Sequence, residues 1–276
     1  MLYTFTAAEG GSVEKVLRKN GVSRRLITKL KRSGRITSGG KEVRTVDILQ
    51  KGDEVYIQYD DDDRLEAAKL DNVSIIYSDE YFVVFDKPSG MPVHPSAKHR
   101  RDTLGNYFAY LYPNKTFRPI NRLDRDTSGL CVVALDPLAA KNLQHCIEKT
   151  YFAAVQGKID IGGVIDLPIA RERESIIKRC VRSDGKRAVT AYEPVCRGNL
   201  CTLLKIHLET GRTHQIRVHF SHIGHPLMGD DLYGGSLDKI KRQALHCGEL
   251  MLTHPKSGEK MWFTSPLPCD IQDLFK

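Results

Sequence analysis

The sequence predicts an α+β protein: a body built on a mixed, mainly antiparallel sheet with flanking helices, preceded by a small basic α/β module. Three features predict it. From Val73 onward, short runs rich in β-branched and aromatic residues recur between turn residues, while few segments carry a helical period. Consecutive runs are joined by short turns, which antiparallel neighbours allow and parallel ones do not. Charge is segregated as well. Residues 11–58 hold twelve Lys/Arg against five Asp/Glu, so nearly all of the net charge of +8 sits at the front.

In the front module, Ser12 is placed to N-cap a helix over VEKVLRKN that stops at Gly21, and Ser23 to cap a second over RRLITKLKRS that stops at Gly34. Leu26, Ile27 and Leu30 form the apolar stripe of the second helix, and Arg24, Arg25, Lys29, Lys31 and Arg32 cover the rest of its surface. RITSGGKEV reads as a hairpin turning at Ser38-Gly39-Gly40, and Lys51-Gly52-Asp53 turns into a strand over EVYIQY. Basic runs are often only solvated faces. This density and one-sidedness favour contact with RNA or DNA phosphate. Four consecutive aspartates, residues 60–63, repel one another and read as a linker. The expected boundaries are 1–59 for the module, 60–72 for the acidic linker and 73–276 for the body.

In the body, VSIIY and YFVVF are strands around a turn at Ser78-Asp79-Glu80, and KPSGMPVHP is a loop. GLCVVAL is a strand, and residues 137–149 begin with Pro and carry a helical pattern. YFAAVQGKI is a strand, RAVTAYEPV and CTLLKIHLE pair around Arg197-Gly198-Asn199, and residues 212–224 form a helix with Ile216, Phe220 and Ile223 on one face. ALHCGELMLTHP and EKMWFTSP close as a hairpin.

No run of eighteen apolar residues exists, and the first residues lack a basic region followed by an apolar one. A cytoplasmic protein without a membrane span is expected. Seven scattered cysteines without a C-x-x-C argue against a disulfide framework or a zinc ribbon and read as buried thiols. His214, His219, His222 and His225 crowd together, but none are four residues apart, so a helical metal site is not expected. D-T-S-G at 126–129 occurs once, against the two aspartates of an aspartic protease. No G-x-S-x-G appears.

The segment NRLDRDTSGL (121–130) poses the chemical question, with Asp124 and Asp126 among Arg122 and Arg125. Flanking cations favour an ionised Asp124, which suits a nucleophile at a glycosidic centre. For the decapeptide by itself, a turn held by surface ion pairs is the leading reading.

Larger patterns separate the two. G-V-S-R-R-x-x-x-K-L, G-R-I, a Gly-Gly turn and K-G-D-E-V-Y-I resemble, over about fifty residues, the small RNA-binding domain of ribosomal small-subunit protein four. In the body, D-K-P-S-G-M-P-V-H-P, R-L-D-R-D-T-S-G-L, K-T-Y-F-A-A-V-Q-G, T-G-R-T-H-Q-I-R-V-H, H-P-L-M-G-D-D-L-Y-G and A-L-H-C-x-x-L-x-L-T-H-P follow in order. They resemble the successive motifs of RNA pseudouridine synthases of the large-ribosomal-RNA type, from about Val73 to Phe275. The resemblance implies that Asp124 is the nucleophile, that Tyr151 lies against the uracil ring and assists removal of its carbon-five proton, and that Arg217 pairs with Asp124. It also implies that Arg122 enters the RNA stack; the charge of the front helix adds Arg24, Arg25, Lys29 and Arg32 as further expected RNA contacts. The family often carries His where this chain has Asn121. Asp126 reads as a turn residue bonding the T-S-G backbone. No cofactor and no metal are expected, because the isomerisation neither oxidises nor carries a group. Ribosomal RNA is the favoured partner, transfer RNA the second, and a monomer the expected state. A non-catalytic RNA-binding or ribosome-assembly protein is the competing reading. A glycoside hydrolase would want two carboxylates at a defined separation, which Asp124 and Asp126 do not provide.

Overall fold

The computed structural model describes residues 2–276 except 34, 59–63, 145 and 173–176; side chains of Arg25 and Ser33 are also outside it. Gly34 and the aspartates at 60–63, read above as a helix stop and a linker, therefore lie outside the described residues.

The front module runs β1 (Leu2–Thr6), β2 (Gly11–Ser12), α1 (Val13–Lys19), α2 (Arg24–Ser33), β3 (Ile36–Ser38), β4 (Lys41–Glu42), β5 (Ile48–Leu49) and β6 (Glu54–Gln58). The Ser12 hydroxyl accepts from the Lys15 amide at 3.2 Å and Ser23 from the Leu26 amide at 3.2 Å, so both predicted caps form. Gly39 and Gly40 both take positive φ, as a two-residue hairpin turn requires. Leu26, Ile27 and Leu30 are buried against Val13, Leu17, Val55 and Ile57, and Leu138 from the body packs on the same cluster. Arg24, Lys29 and Arg32 are exposed. Past residue 63, Leu65 packs on the body core, and the Asn106 side-chain amide donates to the Glu66 carbonyl at 2.7 Å.

The body continues with β7 (Ser74–Ser78), β8 (Phe82–Lys87), α3 (Leu104–Leu111), β9 (Arg118–Pro119), β10 (Ser128–Ala134), α4 (Pro137–Leu143) and β11 (Ile147–Gln156). Then come β12 (Gly163–Asp166), β13 (Ile169–Arg171), β14 (Arg179–Val181), β15 (Val189–Arg197), β16 (Cys201–Leu208), α5 (Gln215–His222), β17 (Leu245–Thr253), β18 (Lys260–Thr264) and α6 (Cys269–Gln272). One ten-stranded sheet runs β12-β15-β16-β11-β17-β10-β8-β7, with β18 on β17 and β9 on β10.

Three expectations are corrected, and one helix is added. The helix expected over 137–149 ends at Leu143, and Ile147–Lys149 already belong to β11, with Ile147 opposite Leu252. Leu143 and Ile147 are four apart and fit either period, so sheet pairing decides. The helix expected from Arg212 begins at Gln215, and Ile223 is exposed past its end. Cys146, Cys196 and Cys269 are exposed rather than buried. Finally, α3 was not anticipated, although Thr103 and Asn106 cap it reciprocally and Leu104 and Phe108 bury its inner face.

The sheet is antiparallel throughout except at one place. Strands β10 and β17 pair in parallel through Ser128↔His246 and Gly129↔Cys247. Cys247 is also opposite Tyr151 on β11, so it lies between Gly129 and Tyr151. The register slips between Thr150 and Tyr151, leaving Gly248 as the extra residue of a bulge. This seam joins the two halves of the sheet and fixes the loop before β10 relative to Tyr151.

Gly129 makes the seam possible. Its φ is +109°, and a Cβ there would come 2.2 Å from the Cys247 carbonyl oxygen. Gly129→Ala is expected to destabilise the protein by more than about 4 kcal/mol. Its melting temperature should fall by roughly 10 °C in thermal denaturation. A melting temperature unchanged from the parent would show that the seam can open at no cost.

Candidate active site

Asp124 stands on the loop between β9 and β10, and the loop is pinned from several sides. The buried Asn121 amide donates to the Leu130 carbonyl at 2.9 Å, and its oxygen accepts from the Val132 amide at 2.8 Å. Both ends of Asn121 are thus spent on β10. The Thr127 amide donates to the Asp124 carbonyl at 3.1 Å, closing the turn. From β8, the fully buried Lys87 ammonium donates to the carbonyls of Pro88, Met91 and Arg125 at 2.8, 2.8 and 3.0 Å. Burial lowers its pKa to about 8, against attraction from Cys131, Asp126 and Asp124, so it keeps its charge at neutral pH. Lys87 ties the Pro-rich loop to the Asp124 loop.

The two aspartates separate in space. The Asp126 carboxylate takes the Arg125 guanidinium at two points, 2.9 and 2.8 Å. Among the described residues this pair, rather than the T-S-G backbone, is its partner, which corrects the expectation of a capping role. Arg125 is therefore engaged, and the cation beside Asp124 comes from elsewhere in the chain. Arg217 Nη1 on α5 donates to Asp124 Oδ2 at 3.0 Å.

Arg217 is itself held. Its Nε and Nη2 donate to Asp230 Oδ2 and Oδ1 at 2.7 and 2.8 Å, a two-point fork on a carboxylate only 1% exposed. The Arg217 guanidinium also lies 5.0 Å from the Tyr233 ring centroid. Burial alone would lower the Arg217 pKa. Hydrogen bonds and attraction from Asp230, then from Asp124, outweigh it and raise that pKa further. A permanently charged fork, fixed by one carboxylate, thus presents its remaining arm to the other. Asp230 was not anticipated as a site residue. Asp230 and Asp231 are adjacent and chemically identical, yet one is buried and the other exposed, and no periodicity marks which.

His214 is the second residue that the sequence reading left out of the site. It is the one non-glycine residue with positive φ among those described, at +58°. Left-handed backbone costs such a residue about 1–2 kcal/mol. Gln215 starts α5 directly after it, accepting from the Arg212 amide at 3.0 Å and donating to the Val189 carbonyl at 2.9 Å. The Tyr233 hydroxyl accepts from the Arg179 amide at 3.0 Å and lies 2.8 Å from His214 Nδ1. It can therefore donate its own proton to Nδ1, which leaves Nε2 protonated and 3.7 Å from Asp124 Oδ2. Burial first, then Arg217, lower the His214 pKa against the pull of Asp124. Arg217 and His214 approach the same Asp124 oxygen.

Tyr151 faces the same space. Its phenol is buried, and burial, then the neighbouring Cys247 and Asp124, raise its pKa well above 10, so the hydroxyl stays neutral. Asp124, Tyr151, Arg217, His214, Arg122, Arg212, Leu208 and Ile216 line a pocket of about 380 Å³. It opens into a cleft of about 1720 Å³ that adds His94, Arg125, Lys149 and Glu209. Arg122 is exposed and lines both. The structure thus brings Asp124, Tyr151, Arg217 and Arg122 together, and leaves Arg24, Lys29 and Arg32 on the front module. The other clustered histidines scatter: His219 bonds Thr190 and the Leu167 carbonyl, His225 the Gln156 carbonyl, and His222 is exposed.

The model of the family described as RNA pseudouridylate synthase matches residues 81–222. An uncharacterised RNA pseudouridine synthase of Bacillus subtilis is 37% identical over 269 residues, covering 93% of this chain and 95% of that one. A ribosomal large subunit pseudouridine synthase D of Pseudomonas aeruginosa is 39% identical over 264 residues, covering 87% and 82%. Among solved structures, human RNA pseudouridylate synthase domain containing 1 is similar with a TM-score of 0.60 and 29% identity, over 73% of this chain and 86% of that one.

Burial holds the pKa of His94, His214, His219 and His246 below the ordinary 6.5. Between their folded values and 6.5 the unfolded chain binds more protons, so stability rises with pH there and falls on acidification. The melting temperature is expected to drop as pH is lowered from about 7 to 5. His219→Gln should flatten that dependence; an unchanged pH dependence in this variant would assign it to other groups.

Proposed function

This chain belongs to the RNA pseudouridylate synthase family, an enzyme that isomerises uridine in RNA to pseudouridine, and on that premise we propose that Asp124 is its nucleophile. The supporting observation is the suspended carboxylate. Asp124 is ion-paired through Oδ2 alone to a fork that Asp230 holds in place, so Oδ1 is the oxygen offered to substrate. The reaction breaks the bond between ribose carbon one and uracil nitrogen one, turns the base and rejoins it through carbon five. One proton leaves carbon five and one is gained at nitrogen one. Attack on the sugar, attack on the base and removal of a sugar proton all require an ionised carboxylate at this point.

Tyr151 supplies a flat face for the base and a neutral hydroxyl. A neutral phenol takes the carbon-five proton only while passing its own onward, which suits a reaction that returns a proton to the ring. Arg122, exposed at the mouth, fills the gap that the extruded nucleotide leaves; extrusion costs roughly a few kcal/mol. Where the family often carries His before R-L-D this chain has Asn121, whose amide is fully committed to β10, so Asn121 acts by holding the loop.

The substrate is ribosomal large-subunit RNA in this reading, as the name of the Pseudomonas relative suggests, with transfer RNA as the second candidate. The front module acts as an RNA-binding domain like that of ribosomal small-subunit protein four, through Arg24, Arg25, Lys29 and Arg32. Its support is three exposed cations on a capped, one-sided helix. The cytoplasm is the compartment and a monomer the working state. Among the described residues no helix is long and apolar enough to cross a membrane.

Asp124→Asn is expected to abolish pseudouridine formation while RNA binding persists. Undiminished conversion would remove Asp124 from the chemistry. Tyr151→Phe should lower turnover far more than affinity; equal losses in both would count against a proton role. Mapping pseudouridines in cellular RNA with and without the protein identifies the RNA class.

A further inference from the structure

Resting on that reading, we propose that Lys149 is a phosphate-binding residue that holds the RNA backbone beside the extruded uridine. Lys149 lies on β11 two positions before Tyr151, and residues two apart on a strand share a face. It lines the outer cleft together with Tyr151, Asp124 and Arg122, but it does not line the inner pocket. Its ammonium therefore addresses the part of the substrate that stays outside when the base enters.

Among the described residues no carboxylate is paired with it. The acids of the same cleft and of the neighbouring strand are already engaged: Glu249 by Lys205 at 3.2 Å, Glu209 by Arg187 at 3.6 Å, and Asp124 by Arg217. Glu148 is the adjacent residue on the strand and so projects to the opposite face. Among the described residues no carboxylate pairs with Lys149, although it is half-buried. Burial lowers the Lys149 pKa, and the fully buried Cys247 thiol beside it, with a pKa pushed up to about 12, stays protonated and supplies no negative charge at neutral pH. A desolvated amine without a counter-ion weakens the fold unless a ligand supplies the charge. The neighbouring cations show the contrast: Lys87 spends its ammonium on three carbonyls and Arg217 on two carboxylates.

A phosphodiester fits this place. It is the one anion that every RNA substrate presents on both sides of the target nucleotide, and it accepts charge-assisted hydrogen bonds from an ammonium. Base recognition is a poorer fit, because the base pocket is lined without Lys149.

The test measures binding of transcribed large-subunit ribosomal RNA across a salt series, using full-length protein carrying Asp124→Asn. Lys149→Met should weaken binding by roughly five-fold at low salt. The slope of log Kd against log salt should shrink by about 0.7–0.9, the signature of one lost phosphate contact. Lys149→Arg should restore both. Lys149→Met should melt no lower than the parent, since it removes a half-buried charge that no carboxylate pairs among the described residues. A parent-like slope and affinity in Lys149→Met would overturn the proposal, as would Lys149→Arg behaving like Lys149→Met. The slope is a binding quantity, so it decides on Lys149 whether or not Asp124→Asn still converts uridine.

Discussion

A single guanidinium organises the site. Arg217 spends two of its donors on Asp230 and the third on Asp124, so the position of the proposed nucleophile is inherited from a buried ion pair. Such a pair contributes little net stability, because desolvating both charges offsets their attraction. Its value here is geometric. A fork gripped by one carboxylate through Nε and Nη2 is held in a fixed orientation, and Asp124 stands where its third nitrogen, Nη1, points. Removing either end would leave a charge without its partner in a largely buried place, which costs about 3–5 kcal/mol.

The rest of the architecture brings that fork to its target. Asp124 sits just before β10 and Tyr151 on β11, which meet through β17 where the two halves of the sheet join, and Arg217 reaches Asp124 from α5. The two-residue parallel pairing at Gly129 and Cys247 sets the spacing, and the bulge at Gly248 sets where Tyr151 lies opposite β17. Lys87 and Asn121 then hold the Asp124 loop from β8 and β10. Each of these side chains acts on backbone carbonyls or amides, so the loop is fixed independently of what occupies the pocket.

Much of this was legible in the residues. Both front helices, their serine caps and the Gly-Gly turn follow from local rules, since caps and positive-φ turns depend on neighbours in sequence. The proposed role of Asp124 was not legible locally, because Arg125 and Arg122 beside it suggested a partnership that Asp126 and solvent absorb instead. Only the ordered motifs connected it to Arg217, 93 residues away. Asp230 and His214 stayed hidden for a further reason. Their roles depend on burial and on a left-handed turn, neither of which residue identity or spacing encodes. The overlong helix at 137–149 failed because Ile147 suited both periods until β17 chose one.

The claim that Asp230 sets the nucleophile through Arg217 is tested most directly by single-turnover kinetics of Asp230→Asn, at a temperature where variant and parent are both folded. The substitution keeps the shape of the carboxylate and removes its charge and one acceptor. The account predicts at least about a hundred-fold loss of the conversion rate, the size typical when a positioning contact around a reactive group is lost, with RNA affinity close to that of the parent. A conversion rate within about three-fold of the parent, below one kcal/mol of barrier, would contradict it.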